Sequence, residues 1–222
     1  MKTSEITTHD KKLLRLNELC KRLKMRAAYE QFSAILTDPD ACKMPLLDCV
    51  IEGLECEVGK RDTNALNRRL KDAKICLPNA RPDTIDFSIE RGLDRNQAEA
   101  LFTMQWMERH QNIIITSAAG CDKTFLACAL TNQACLKVKT ARVVRIPLLL
   151  NQMSASHQID ERYLKKLKEY KNVDLLVLDD WGIGQLDARS REGLLEIINE
   201  RYLYSQAHCR SVNGLRSDVL RR

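Results

Sequence analysis

Ile113-Ile114-Ile115-Thr116-Ser117-Ala118-Ala119-Gly120-Cys121-Asp122-Lys123-Thr124 is the stretch that decides the fold. It opens on three β-branched residues, as expected of a short strand buried on both faces. It closes on Lys-Thr, and the run from Thr124 to Lys137 reads as a helix. Strand, loop and helix in that order, with Lys-[Ser/Thr] at the loop's end, is the layout of a phosphate loop, G-x-x-x-x-G-K-[ST]. In such a loop backbone N–H groups wrap the phosphates, the lysine bonds the β and γ groups, and the hydroxyl serves Mg²⁺. Gly120, Lys123 and Thr124 match the pattern, whereas Ser117 and Asp122 stand at its two defining glycines. Asp122 is the graver change. Its Cβ restricts a backbone that glycine leaves free, and its carboxylate faces a polyphosphate. Like charges ~4 Å apart repel by ~4 kcal/mol at an effective dielectric of 20.

Downstream, Leu175-Leu176-Val177-Leu178-Asp179-Asp180 reads as a second buried strand ending in two acids. If both loops meet at one edge of a sheet, Asp179 serves Mg²⁺ beside the Thr124 hydroxyl, and Asp180 is the catalytic carboxylate that orients or deprotonates the attacking water. One further strand, Arg142 to Ile146, and two helices, from about Pro147 to Ser156 and around Arg162 to Tyr170, lie between. A helix from Ala188 to Tyr204 follows. Alternating strand and helix predicts an α/β fold, a parallel sheet flanked by helices.

Upstream of the loop the chain reads as helical. Leu13, Leu16, Cys20 and Leu23 form one apolar face among Lys11, Lys12, Arg15, Lys21, Arg22, Lys24 and Arg26. A second helix starts near Pro45, and a third stretch runs from Asn64 to Ile75. Asp94 starts another helix, to about Arg109, with Gln97 placed as in a capping box. Residues 1–90 are read as a helical N-terminal module for DNA or partner binding, 91–204 as the nucleotide domain, and 205–222 as a divergent tail.

Composition narrows the class. Lys plus Arg number 36 and Asp plus Glu 30 in 222 residues, a net +6 that allows a nucleic-acid partner without requiring one. With 8 glycines and 5 prolines the chain is neither collagen-like nor Pro/Gly-rich and disordered. No apolar run approaches the ~20 residues that span a bilayer, and the first residues lack a secretory h-region. The expectation is a cytoplasmic protein without membrane contact. Its 9 cysteines contain no CxxC pair, so free thiols are expected and zinc-ligand spacing is lacking.

The run Asn112 to Leu130, then Asn132-Gln133-Ala134-Cys135, Val173 to Gly182 and Leu194 to Tyr202, resembles the IstB-like transposition helper proteins, relatives of the DnaC helicase loader among AAA+ P-loop ATPases. The likeness spans roughly residues 10 to 204. It implies an ATP-binding, DNA-binding helper of insertion-sequence transposition that forms a homo-oligomer on DNA and works with the transposase of the same element. By position it implies cofactor contacts from Ser117, Ala118, Ala119, Gly120, Cys121, Asp122, Lys123 and Thr124, Mg²⁺ at Thr124 and Asp179, and a water-directing Asp180. After Tyr202 the family continues with a core strand bearing a polar sensor residue, then an arginine finger. Here Leu203 to Gly214 shows no β-branched strand, so the carboxyl part of the core is expected to be incomplete, as in a decayed or frameshifted gene. The alternatives are a non-catalytic DNA- or transposase-binding module, or an inactive transposon remnant that no longer binds ATP.

Overall fold

The computed structural model describes residues 8–38, 44–87, 93–117, 120, 122–155, 161–181, 188–203 and 207–213. The chain divides into two compact units, Met1–Ala65 and Leu66–Arg222.

In the first unit, α1 (Thr8–Arg22) and α2 (Arg26–Thr37) precede the first part of α3 (Leu46–Ala73). Lys24 ends α1 in the left-handed region, at φ 56°. The Met25 N–H then reaches back to Cys20 O at 2.8 Å and the Lys24 N–H to Lys21 O at 3.1 Å, so the last carbonyls of α1 are satisfied in a Schellman-type turn. Glu57 of α3 caps α2 from outside, accepting from the amides of Ala27 (3.0 Å) and Ala28 (3.3 Å). The Arg61 hydrogen bond, ahead of those two amides, holds the Glu57 carboxyl below its usual range. Gly53 permits the close approach of the two helices, since a Cβ there would lie 1.9 Å from the Phe32 ring. The two helical stretches predicted after Pro45 form one helix of 28 residues.

The second unit is built on four parallel strands in the order β1-β4-β3-β2. These are β1 (Ile113–Ser117), β2 (Ala141–Arg145), β3 (Leu175–Trp181) and β4 (Ala207–Asn213). Alternation along each strand divides the core between the two faces. Leu175, Val177, Val143 and Ile113 pack with α6 (Lys123–Leu136), α4 (Arg95–Phe102) and α5 (Gln105–Glu108). Leu176, Leu178 and Val144 pack with α7 (Ile146–Ala155), α8 (Glu161–Asn172) and α9 (Ala188–Leu203). This is the helix-flanked parallel sheet expected of the sequence.

Three local expectations are refined. Asp94 caps α4 by accepting from the Asn96 amide at 3.1 Å. The predicted helix to Arg109 is broken at Met104, whose φ of 62° ends α4 and lets α5 start in a new direction. The third is a correction. A core strand does follow α9: Ala207–Asn213 is β4, paired with β1 on one side and β3 on the other. Ala-His-Cys-Arg-Ser-Val-Asn has a single β-branched residue, so its own propensity for a strand is weak. Two neighbouring strands offer a full ladder of backbone partners, and that context overrides propensity. The sheet core expected to be incomplete at this point therefore has its central strand.

Candidate nucleotide site

The carboxyl edge of the sheet gathers the chemistry-bearing residues. Ser117 ends β1, and Lys123 and Thr124 open α6. Gly120 has φ 83°, and open space surrounds the position of an added Cβ. Asp122 takes φ 50°, ψ 29°, the left-handed conformation that glycine adopts without strain. The expected conflict at this position is therefore present in the backbone, though at less than the ~1–2 kcal/mol it costs most residues, because Asp tolerates this conformation better. Lys123 is 7% exposed in spite of its charge. Ala118, Ala119 and Cys121 lie outside the described residues.

The β3 acids come to the same edge. The Thr124 hydroxyl donates to Asp179 Oδ2 at 3.0 Å, although the two residues are 55 positions apart. Asp179 is 3% exposed and its Oδ1 accepts the Asp180 amide at 3.0 Å. Past Leu178 the β3–β4 register shifts, with Leu178 opposite Arg210 and Trp181 opposite Val212. Three steps on β3 thus face two on β4, which is a β-bulge. Asp180 sits in it at φ 59°. Its Oδ2 meets the Arg145 guanidinium of β2 at 2.7 Å. That hydrogen bond raises the Arg145 pKa above its ordinary value.

A profile of the family described as IstB-like ATP binding protein matches residues 13–209. The chain belongs to the IstB-like ATP-binding family. Among curated relatives, a protein of Pseudomonas fluorescens named for ATP binding in insertion sequence IS1162 is 35% identical over 148 residues, covering 67% of this chain and 64% of that protein. The insertion-sequence protein y4pL of Sinorhizobium fredii, also named for ATP binding, is 36% identical over 149 residues, covering 67% of this chain and 60% of its own length. The chain thus spans about three fifths of these relatives. Among solved structures, DnaI aligns with a TM-score of 0.51 at 20% identity, over 67% of this chain and 75% of that one. AMPPCP-bound DnaA from Aquifex aeolicus aligns at 0.53 and 22% identity, over 62% and 43%. Both likenesses speak for the P-loop, AAA+-type fold alone.

For this IstB-like chain the structure brings Lys123, Thr124, Asp179 and Asp180 to one edge of the sheet, with Ser117 ending a strand there. It adds two residues that sequence reasoning passed over. Arg145 reads in sequence as the charged end of a strand, and only the sheet order brings it to Asp180. Asn213, at the carboxyl end of β4, is in register with Ser117 at the same edge of the sheet. Its signal was a lone polar residue closing an unrecognised strand. Cys128 and Cys135, read as core residues, are fully buried in α6. Among the described residues no helix is long and apolar enough to cross a membrane.

Proposed function

We propose that this chain binds Mg-ATP at the carboxyl edge of its sheet and serves as a DNA-binding helper of insertion-sequence transposition. The observation that carries the reading is the Thr124–Asp179 hydrogen bond of 3.0 Å beside buried Lys123. Mg²⁺ takes hard oxygen ligands, and a hydroxyl and a carboxylate held together at the head of a helix fit it. Bound there, the ion neutralises charge on the β and γ phosphates. Lys123 holds the phosphates, the loop from Ser117 to Thr124 supplies its amides, and Thr124 and Asp179 hold Mg²⁺. Asp180 directs the water once Arg145 lets it go. The N-terminal helices of the first compact unit, with the cationic α1, take DNA or the element's transposase. Residues 91–204 together with β4 form the nucleotide domain. The chain works as a homo-oligomer on cytoplasmic DNA.

Titration with a fluorescent ATP analogue and Mg²⁺ tests the nucleotide half. Saturable binding that is lost in Lys123→Ala supports it. No saturation at millimolar nucleotide, in the wild type and in Asp122→Gly alike, refutes it. DNA binding that weakens steeply with added salt, and weakens further in Lys11→Glu/Lys12→Glu, supports the other half.

A second reading keeps DNA and transposase binding but makes the nucleotide fold inert. Asp122 in the phosphate loop and the Arg145 hold on Asp180 favour it. DNA affinity that is the same with and without ATP distinguishes it.

A further inference from the structure

The first compact unit leaves one face of α3 bare. Leu47, Ile51, Leu54 and Val58 are 69%, 43%, 44% and 56% exposed. They follow one another at steps of four, three and four, the a/d spacing of a helix that seats a partner helix. The side of α3 that meets α2 is a different one, carrying Cys49, Gly53 and Glu57, all buried. Along one edge of the bare stripe run Asp48, Glu55 and Asp62, seven residues apart and exposed. Among the described residues none of the three is in an ion pair.

The same unit carries a matching surface on α1. Leu19 and Leu23 are 40% and 64% exposed, and Leu16 is half-buried in line with them. Arg15 and Arg22, also seven apart, edge that stripe. Laid parallel, Leu16, Leu19 and Leu23 face Ile51, Leu54 and Val58. Arg15 then falls opposite Glu55 and Arg22 opposite Asp62, the g-to-e′ pairing of a parallel coiled coil. Within one chain Leu19, Leu23 and the α3 stripe stay exposed, so the pairing is not made there. Among the described residues Arg15 pairs only with the exposed Glu18 at 3.0 Å, a weak surface contact that is readily exchanged. A nucleic acid does not suit the stripe on α3, because its acidic edge repels phosphates.

We infer that α1 of one chain docks in parallel on α3 of a second copy through these leucines and the Arg15–Glu55 and Arg22–Asp62 pairs. The contact joins two different patches, so it closes reciprocally in a dimer or continues head to tail. It deepens the homo-oligomer reading by naming the surface, and rests on the two helices and not on nucleotide binding.

Sedimentation velocity on the full chain without nucleotide tests it. The wild type self-associates, and Leu54→Asp and Arg15→Glu/Arg22→Glu each weaken association by about tenfold or more with helicity unchanged by circular dichroism. Adding Glu55→Arg/Asp62→Arg to the arginine variant restores association. Mixing the two charge-reversed proteins restores it as well. Lys123→Ala leaves all of this unchanged while removing nucleotide binding, so the two readings fail separately. A wild type that is monomeric at ~100 μM, association indifferent to Leu54→Asp, or reversal without rescue overturns the inference. So does a monomer whose stripe captures only a transposase helix.

Discussion

Arg145 holds Asp180 with two nitrogens on one carboxylate oxygen, Nε at 2.8 Å and a terminal nitrogen at 2.7 Å, across the β2–β3 junction. Asp179, one residue earlier, holds Thr124 instead. Two consecutive acids thus have different partners, one at the α6 start and the other a cation from β2, with Asp180 held at φ 59°. Backbone strain of this kind persists only where surrounding contacts over-determine it.

If Arg145 keeps Asp180 from the water-directing role, Arg145→Ala raises the steady-state turnover of Mg-ATP. Nucleotide affinity stays within about threefold, because Lys123 and Thr124 are untouched. A coupled phosphate-release assay with a parallel binding titration separates the two quantities. Turnover that is unchanged or reduced shows that Arg145 positions the acid instead of holding it away.

Two substitutions at Asp122 separate backbone from charge. Asp122→Gly removes both the strained φ of 50° and the carboxylate, whereas Asp122→Asn removes the charge and keeps a residue tolerant of that φ. The glycine variant gains about 1 kcal/mol in denaturant unfolding, from relief of the left-handed strain. Asparagine gains little stability. Both bind ATP more tightly, by about tenfold or more, because electrostatic repulsion of the polyphosphate disappears in each. Tighter binding in Asp122→Gly alone would assign the defect to the backbone.

How much of this was legible depended on whether a residue's role is local. Ile113-Ile114-Ile115 and Leu175 to Leu178 announce strands because the runs are short, continuously apolar and rich in β-branched or aliphatic residues, too short for a buried helix. Lys123 and Thr124 were readable because a phosphate loop's spacing is set by its own backbone, and Asp179 because it closes an apolar strand. The β4 segment was not, since its partners lie far away in sequence and its residues are poor strand formers. Arg145 and Asp180 were readable singly but not as a pair, because the β1-β4-β3-β2 order sets their distance. Met104 broke a helix that periodicity extended, because one left-handed residue leaves the apolar pattern intact.

Among the described residues Arg201 is the largest fully buried side chain, within a helix whose pattern is merely amphipathic. Its guanidinium donates to the carbonyls of Tyr170 (2.8 Å) and Val173 (2.6 Å), and at 3.3 Å to those of Lys171 and Asp174. It thereby ties α9 to the turn that launches β3. Burial lowers its pKa to about 10. Arg201→Met keeps volume but leaves buried carbonyls without donors, at a net cost of about 2–4 kcal/mol after the buried charge is relieved. Arg201→Lys is no rescue, because an ammonium lacks the fork that spans several carbonyls. Urea unfolding measures both, and a loss under about 1 kcal/mol in Arg201→Met would show that the carbonyls find other donors.

Alkaline stability rests on a thiol that sequence alone marks only as core. Burial pushes Cys135 from 9.0 up to about 11, partly countered by the nearby Arg69, whose Nε donates to the Cys135 carbonyl at 3.0 Å. In the unfolded chain the thiol ionises near its ordinary value, while the folded chain keeps its proton until higher pH. Between those values the unfolded state binds fewer protons, so stability falls as pH rises. The contribution is complete below about pH 9 and lost through about pH 11, worth about 2–3 kcal/mol. Cys128 shifts in the same direction, again mainly through burial, and steepens the fall. Arg201 acts with the opposite sign, its folded pKa being lowered, and only as pH rises through about 10. Cys135→Ala should therefore lose less stability than the wild type between about pH 8 and pH 11 in matched urea titrations. Parallel pH profiles for the two proteins would mean that the thiol is already reached by water in the folded chain.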